Sequence, residues 1–385
     1  MKTQSKWLKQ TNTLNKAIKS KRIEQLKKAI SDAEKQGIPA NNMSLFLAKK
    51  QLFLSYVKKN KSAYPISKKK DGEFRIATYN IHYFTDVYEN KSTYKNIIND
   101  IKHLNSDIIG LQEFVLGNNI KINKNVKVDT RHFFDDINKL GYKKTVVCNS
   151  VPAWYASIYG NILLIKDTYC QDIECERNNS PLEESIYTFK NAEKTTICSG
   201  NQKGRKETRC YIKIIVNIFN KHIVIYNTHL DVASEKERLT QIKHIISDSK
   251  QYNKSNHIVF ITGDLNTFDH TQENTKDEHM CWKTNKFLKD NGKVIAELKK
   301  HKFYDTHYTF NKKYPENMTT WNNTRVDFIF CNKSIKKTNL IIRPEYLYTD
   351  SSDHIPVVIT LSKKKYSKAS HRGSSRKARK TRKYK

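Results

Sequence analysis

The chain has 385 residues, which is enough for one large domain with extensions or for two domains. Its formal net charge of +33 lies mainly at the ends: residues 1–70 hold 18 Lys and Arg against 3 Asp and Glu, and residues 363–385 hold 12 basic residues and no acid. Seven cysteines without a C-x-x-C pair argue against a disulfide framework and against a zinc site. With no signal peptide and no run apolar enough to span a bilayer, we expect reduced cysteines in an intracellular protein that is not secreted.

Residues 1–62 are predicted to form a basic helical extension. Apolar side chains recur at loosely helical spacing over residues 4–36, and Gly37 then supplies a stop, which predicts a first helix. A second helix, capped by Asn41 or Asn42, completes a hairpin. The hairpin is either an arm that binds nucleic acid or a partner, or a solvated basic face whose apolar stripe packs on the main domain. We favour the second interpretation.

From Phe74 onward, short β-rich runs alternate with helical ones, which predicts a mixed α and β domain over residues 73–362. Strands are predicted at residues 74–80, 107–113, 141–148, 161–165, 211–219, 223–226, 258–262, 326–331 and 357–361. Helices are predicted at residues 94–104, 133–140, 235–249 and 284–290. Residues 63–72 are expected to be a linker, and the polar residues 167–208 a long surface excursion.

The last 23 residues, 363–385, contain nothing that can build a core, so we predict a disordered basic tail. Such a tail is either a nucleic-acid tether or targeting signal, or a solubilising end. We favour the first interpretation.

Polar residues follow the predicted strands at several points. Asp264 and Asn266 come after the apolar run 258–261 and project to one side if the chain is still extended, although strand, Gly and Asp are equally typical of an ordinary turn. Similar positions are held by Asn80, Glu113, His229, Asp327, Asp353 and His354. Strand ends gather along one rim of a layered sheet, so these groups can meet in one pocket. Carboxylates, amides and histidines suit metal-assisted phosphodiester cleavage, because hard oxygen ligands hold Mg²⁺ or Mn²⁺ while a base positions water.

Six short motifs occur in an order that is typical of one family. They are Thr78-Tyr-Asn-Ile-His82, Leu111-Gln-Glu113, Asn227-Thr-His-Leu-Asp231, Gly263-Asp-Leu-Asn266, Thr320-Trp321 with Arg325-Val-Asp-Phe-Ile329, and Ser352-Asp-His-Ile-Pro356. Together they resemble the endonuclease/exonuclease/phosphatase superfamily over about residues 72–362. The resemblance implies an α+β, DNase I-like fold: a four-layer α/β-β/α sandwich of two mixed, mostly antiparallel sheets, with the site at one rim. The helical extension and the disordered tail lie outside it.

The resemblance also implies the roles of the metal and water groups. Glu113 resembles the principal divalent-metal ligand, with Asn80 beside it and Asp353 as a further ligand, so Mg²⁺ or Mn²⁺ is the expected cofactor. His354 matches the histidine that activates water or stabilises the pentacovalent phosphate, and Asp327 matches the acid that orients it.

Other matches concern the phosphate. Asp264 and Asn266 resemble the pair that positions the nucleophile and holds a phosphate oxygen. His229 matches a second histidine that binds phosphate or assists the leaving group, and Arg209 stands where several members carry a phosphate-contacting arginine. Trp321 is explained equally well as core or as a substrate contact. On one helical face, Arg238 and Gln241 are expected to brace the structure.

Two departures bear on the substrate. His82 stands where some members carry a metal-binding aspartate, which leaves a ligand at that position open. Members specific for abasic DNA carry a tyrosine in place of His229, which disfavours that activity. The resemblance and the basic ends together predict a Mg²⁺-dependent phosphodiesterase that acts on DNA or RNA. The alternatives are a lipid or inositol-phosphate phosphohydrolase whose tail binds anionic membranes, and a non-catalytic polyanion-binding protein.

Overall fold

The computed structural model describes residues 2–39, 42–86, 91–122, 126–149, 158–169, 182–188, 209–232, 234–253, 255–268, 292–311, 325–333 and 335–364. Within these ranges the chain forms two six-stranded sheets with outer helices, preceded by a bundle of three helices. No helix in this part of the chain combines the length and the apolar character that crossing a bilayer requires. The predicted helix at 284–290 and the tail from residue 365 onward lie outside the described residues.

The N-terminal residues form three helices where the sequence predicted two. The helices are α1 (Lys2–Ser20), α2 (Ile23–Lys35) and α3 (Met43–Ala63). The single helix expected over residues 4–36 is interrupted at Lys21, whose φ of 53° lies in the left-handed region and cannot continue a right-handed helix. Asn42 caps α3 as expected, because its side chain accepts a hydrogen bond from the Leu45 N–H at 3.1 Å.

The first large sheet contains the first and the last strand of the two-sheet part of the chain. Its strands are β1 (Phe74–Asn80), β4 (Ile108–Leu116), β7 (Tyr142–Asn149), β8 (Ile158–Lys166), β15 (Leu340–Tyr346) and β16 (Val357–Lys363). Their order across the sheet is β15-β16-β1-β4-β8-β7. Only β1 and β4 run parallel, and the other neighbours are antiparallel.

The second large sheet faces the first. Its strands are β9 (Leu182–Thr188), β10 (Cys210–Ile218), β11 (Lys221–His229), β12 (His257–Asp264), β13 (Tyr304–Asp305) and β14 (Asp327–Cys331), in the order β13-β14-β12-β11-β10-β9. Here β11 and β12 are the parallel pair. Strand β9 lies inside the expected surface excursion at 167–208, so part of that segment is sheet. Residues 170–181 and 189–208 lie outside the described residues.

Helices cover the outer faces of both sheets. The helices of this part of the chain are α4 (Tyr94–Leu104), α5 (Phe133–Lys139), α6 (Glu235–Ser249), α7 (Lys293–Lys300), α8 (Thr306–Asn311) and α9 (Ile335–Thr338). Two short antiparallel ribbons pair β2 (Thr85–Asp86) with β3 (Lys91–Ser92) and β5 (Ile120–Lys121) with β6 (Lys127–Val128). Side chains of α4 and α5 pack on the first sheet, and those of α6 and α7 pack on the second. Inward-facing residues such as Ile76, Ile212 and Phe260 fill the space between the sheets. The expected four-layer fold is confirmed.

A disulfide joins the two sheets, which contradicts the expectation of reduced cysteines. Cys148 on β7 and Cys210 on β10 are 62 residues apart in sequence and meet because they lie on facing strands. Cys331 is free and buried. The remaining cysteines lie outside the described residues: Cys170, Cys175, Cys198 and Cys281. Disulfides are typical of oxidising compartments, so the cysteine count alone does not decide the compartment.

The helical bundle packs against the loop between β15 and β16. Its core, which includes Leu52 and Tyr56, also contains Tyr348 and Ile355 from that loop. The rings of Tyr56 and Tyr348 meet edge to face with centroids 5.9 Å apart. Ile355 is fully buried and directly follows His354. The expected packing of an apolar stripe on the main domain is therefore confirmed.

The predicted linker at 63–72 is anchored to the first sheet. The N–H and hydroxyl of Ser67 donate to the Glu345 carboxylate at 2.8 and 2.9 Å. A little further on, Lys69 forms an ion pair with Asp107. The domain boundaries at residues 62, 72 and 362 stay predictions.

A buried histidine ties α8 to the first sheet. His307 is fully buried, and its Nε2 donates to the Glu345 carbonyl at 3.0 Å. Burial, helped by the nearby Arg325 guanidinium, lowers the pKa of His307 to about 4. The folded protein therefore holds this ring in its neutral form.

The first prediction concerns the bundle core. Replacing the fully buried Leu52 with alanine leaves a cavity, so we expect the free energy of unfolding to fall by about 2 to 5 kcal/mol. The matched control is Leu47→Ala on the same helix, because Leu47 is 41% exposed. Urea denaturation measures the free energy of unfolding of both variants, and an equal decrease in the two would contradict the packing described.

The second prediction concerns pH. The unfolded chain protonates His307 below about pH 6.5, whereas the folded chain resists protonation until about pH 4. The neutral ring therefore stabilises the fold above pH 6.5, and this stability is lost as the pH falls toward 4, by up to about 3 kcal/mol. We expect His307→Gln to flatten the stability profile between these pH values. His103→Gln, an exposed control, should leave the slope unchanged.

Candidate active site

The residues proposed from the sequence gather at one rim of the two sheets. The first sheet and its connections contribute Asn80, Glu113, Asp353 and His354. The second contributes Arg209, His229, Asp264, Asn266 and Asp327. The strand register pairs Asp264 with His229 on one side and with Asp327 on the other.

Gly263 allows β12 to approach β11 closely enough to place Asp264. Its φ is 139°, and a Cβ atom there would lie 1.8 Å from the Thr228 carbonyl oxygen. A side chain is therefore excluded at this position. The constraint fixes the backbone directly before the buried Asp264.

The chain turns after Asp264 and does not stay extended. Asn266 has a φ of 47°, in the left-handed region that asparagine tolerates. Its N–H donates to Asp264 Oδ1 at 2.8 Å, and its side-chain amide donates to the Leu230 carbonyl at 3.0 Å. The alternation that would project both side chains to one side is therefore wrong, and Asn266 braces the turn that holds Asp264.

Glu113 sits on a β-bulge that breaks the regular pairing of β4 with β8. The register shifts between Leu111 and Phe114, and Glu113 adopts a φ of 56°. Asn80 Nδ2 donates to Glu113 Oε1 at 3.2 Å and to Asp264 Oδ2 at 3.0 Å. One amide therefore links the carboxylates of the two sheets. Burial raises the pKa of Glu113.

The donor set at the rim fits a divalent cation. Glu113 Oε2 is buried and has no hydrogen-bond partner among the described residues, a position that a cation would satisfy. Single ligand atoms of Asp264, Asp327 and His354 lie within 4.8 Å of one another. Carboxylate oxygens are hard ligands of the kind that Mg²⁺ and Mn²⁺ prefer. Asp264 and Asp327 are therefore candidate ligands in addition to the predicted Glu113, Asn80 and Asp353.

His354 is held by a carboxylate from the opposite sheet. Its Nδ1 donates to Asp327 Oδ2 at 2.8 Å, and its Nε2 lies 3.9 Å from Asp264 Oδ2 and 4.0 Å from Asp353 Oδ1. Burial opposes a charged ring here. Asp327 and Asp353 outweigh it and raise the pKa of His354 well above its usual value. The arrangement therefore favours an imidazolium that presents Nε2 to the site.

Asp264 lies in a different electrostatic setting. Burial, followed by the nearby Asp327 carboxylate, raises the pKa of Asp264 to about 7. A carboxylate that titrates near neutral pH is suited to exchange a proton with water, because it can both accept and release one.

His229 and Arg209 form the other side of the site. The Nε2 atom of His229 lies 3.6 Å from Asp264 Oδ2, and both residues are buried. Burial, followed by the positive charge of Arg209, lowers the pKa of His229 well below its usual value. The structure therefore places the Arg209 guanidinium, a cation, near the neutral imidazole of His229.

Several supporting residues were not assigned from the sequence. Gln112 Nε2 donates to Asn227 Oδ1 at 2.8 Å and so bridges the two sheets. The bridge needs Gly110, because a Cβ there would lie 2.1 Å from the Asn227 side chain. Ser352 Oγ donates to the Asn80 carbonyl at 2.8 Å. Gln112, Asn227 and Ser352 all lie within the six motifs, and this position in the sequence could have identified them as supporting residues.

Helix α6 braces the loop after β11, as expected. Arg238 is fully buried; its Nε donates to Glu235 and its Nη1 to the Asp231 carbonyl, both at 2.8 Å. Gln241 Oε1 accepts from the Asp231 N–H at 2.9 Å. Trp321 lies outside the described residues.

Comparison with known proteins places this geometry in a family. The chain is similar in fold to truncated TDP2 of Caenorhabditis elegans (17% identity, TM-score 0.47, covering 76% of this chain and 98% of that one). It is also similar to the human nocturnin catalytic domain with bound sulfate (14% identity, TM-score 0.45, covering 77% of this chain and 95% of that one). A third similar structure is a mannosyl-6-phosphatase of Bacteroides thetaiotaomicron (15% identity, TM-score 0.47, covering 75% of this chain and 99% of that one). No curated protein sequence matches. A family model matches residues 77–354, and the chain therefore belongs to the Endonuclease/Exonuclease/phosphatase family.

Proposed function

We propose that this protein is a Mg²⁺-dependent phosphodiesterase that hydrolyses the phosphodiester bonds of nucleic acid. The observation that carries the proposal is the distribution of charge around the acid and histidine site. Residues 1–70 and 363–385 together account for +27 of the net charge of +33, which leaves the catalytic part nearly neutral. Basic segments flanking a phosphate-cleaving site fit a long polyanion, because each neutralised phosphate adds sequence-independent affinity.

The chain supplies the groups that hold a phosphate and a cation. Glu113 and Asn80 would hold the ion, with Asp353 beside them. Arg209 and the neutral His229 lie where they can bind non-bridging phosphate oxygens. A bound Mg²⁺ would neutralise phosphate charge and orient the ester.

Two further groups act on the attacking water. Asp264, whose pKa is raised to about 7, accepts the proton that water loses as its oxygen attacks phosphorus. The His354 imidazolium, held by Asp327 at 2.8 Å, stabilises the negative charge that develops on the phosphate. The bond from phosphorus to the leaving oxygen then breaks; that oxygen takes up a proton from solvent, and protonated Asp264 returns its proton to solvent.

The third prediction tests this assignment. Glu113→Gln keeps the shape of the side chain and removes its charge, so we expect Mg²⁺-dependent cleavage to fall about 100-fold or more, since a bound metal contributes several kcal/mol. Mn²⁺ binding, followed by electron paramagnetic resonance, should weaken in parallel. The control is Glu24→Gln in the helical bundle, where Glu24 is 86% exposed.

Labelled DNA and RNA, DNA with adducted 5′ ends, inositol phosphates and sphingomyelin vesicles form the substrate panel. Turnover of inositol phosphate or sphingomyelin with inert nucleic acid would replace the proposal with a lipid or inositol phosphohydrolase. Polyanion binding with no hydrolysis of any substrate would identify a binding protein.

The fourth prediction concerns the basic tail. Removing residues 365–385 deletes 10 Lys and Arg, so we expect weaker nucleic-acid binding and a shallower dependence of affinity on salt. Hydrolysis of a small aryl phosphodiester should not change, because the tail supplies affinity and no chemistry. A full-length variant with these residues changed to glutamine is the control for length. Loss of the small-substrate rate would contradict the assignment.

A further inference from the structure

A cavity of about 110 Å³ lies between the helical extension and the catalytic rim. We call it the α3–α4 cavity, because Lys50 and Phe53 of α3 form one wall, and Thr93 and Asn96 at the start of α4 form another. Asp353 lines it as well, and this carboxylate lies 4.0 Å from His354 Nε2. The cavity therefore adjoins the place where the phosphate would lie.

Thr93 provides an independent sign of a ligand. The residue is 3% exposed, and its hydroxyl has no hydrogen-bond partner among the described residues. Threonine at the N-cap of a helix usually caps the first turn, yet the Thr93 side chain makes no such bond in α4. Buried hydroxyls are nearly always satisfied, so this one, on the wall of a cavity, is placed to bond to an occupant.

The remaining lining identifies the chemistry of that occupant. Asp86 and Asp350 accept hydrogen bonds, Lys50 and Lys91 donate them, and Asn96 does both. A hydroxyl group is also both donor and acceptor, so a ring with several hydroxyls matches such walls. A second phosphate fits less well, because Asp353 adds a third carboxylate against two lysines. An acyl chain would leave the Thr93 hydroxyl unsatisfied and would place hydrocarbon against charged side chains.

The size sets a further limit. The volume is about 110 Å³, several times the roughly 15 Å³ that one water needs and well below the roughly 300 to 1,000 Å³ of a pocket that encloses a whole ligand. The cavity therefore suits one ring of a larger substrate. Phe53, which is 1% exposed, lies on the wall with Leu54, and an apolar surface of this kind packs against the face of a sugar ring.

We propose that the α3–α4 cavity binds a hydroxylated ring attached to the scissile phosphate, and that in nucleic acid this ring is a ribose. The inference rests on the proposed function and extends it, because it gives the helical extension a part in substrate selection. The wall formed by α3 lies outside residues 77–354, the part of the chain that the family model matches.

Thr93→Val tests the cavity, since it removes the hydroxyl and keeps the branched shape. The substrates are a diribonucleoside monophosphate, its 2′-deoxy counterpart, inositol 1-phosphate and bis(4-nitrophenyl) phosphate, which carries no hydroxylated ring. We expect wild type to prefer the ribose diester. Thr93→Val should lower kcat/KM for that substrate about tenfold, the effect of one lost hydrogen bond, and leave the aryl diester unchanged. Lys50→Met, on the opposite wall, should act in the same direction.

Thr240→Val on α6 is the matched control, because Thr240 is exposed and far along the chain from the cavity. If Thr93→Val lowered kcat/KM for inositol 1-phosphate alone, the ring would be assigned to a polyol phosphate and the ribose assignment would be overturned. An equal fall in kcat/KM for the aryl diester and the ribose diester, or no fall for any substrate, would overturn the inference.

Calorimetry separates the cavity from the reaction. The diribonucleoside monophosphate is titrated into wild type and Thr93→Val in EDTA, where no hydrolysis occurs. About tenfold weaker binding to the variant supports the cavity assignment even if wild type proves to hydrolyse no diester, a result that would remove only the proposed function. Equal binding to both proteins would remove the cavity assignment.

Discussion

The active-site rim depends on buried polar groups of one sheet that are satisfied by partners on the other. Asn80 reaches Asp264, and His354 reaches Asp327, across the gap between the sheets. An unsatisfied buried polar group is destabilising by about 1 to 3 kcal/mol, so loss of either partner would leave the other, still buried, with that penalty. The contacts that align the groups of the candidate site therefore also join the two sheets at this rim.

The backbone at the rim is distorted to make those contacts. Glu113 and Asn266 both adopt left-handed φ angles, and Gly263 has a φ that other residues avoid. Left-handed φ angles are unfavourable for residues other than glycine, and all three positions lie at or near a carboxylate of the candidate site. The bulge at Glu113 turns its side chain out of the regular strand alternation. The turn at Asn266 supplies an N–H to Asp264. The unusual backbone conformations thus set the positions of the Glu113 and Asp264 carboxylates.

The sequence predicted most of the long strands and the motif residues, but not strands β9 and β15 or these backbone distortions. Burial follows the side-chain period, so the spacing of apolar residues predicts both strands and helices. For this reason the first and last residues of β1 and of α4 were predicted correctly. Nothing in Leu111-Gln-Glu113 indicates a bulge, since no glycine is present. The break at Lys21 left no signal in composition either. The Cys148–Cys210 pair depends on which strands face each other, a long-range property that local patterns do not contain.

The helical extension shows why motif residues do not settle the substrate. The six motifs resemble those of a family that shares phosphoester chemistry, so they indicate the chemistry and not the rest of the substrate. The side chains that meet the rest of the substrate must come from outside them. Ile355, next to His354, is buried in the core of the bundle, so the extension packs against the loop that carries His354. The same helix α3 lines the cavity beside Asp353. A segment that both supports this loop and lines the neighbouring cavity can couple what binds in the cavity to the placement of His354.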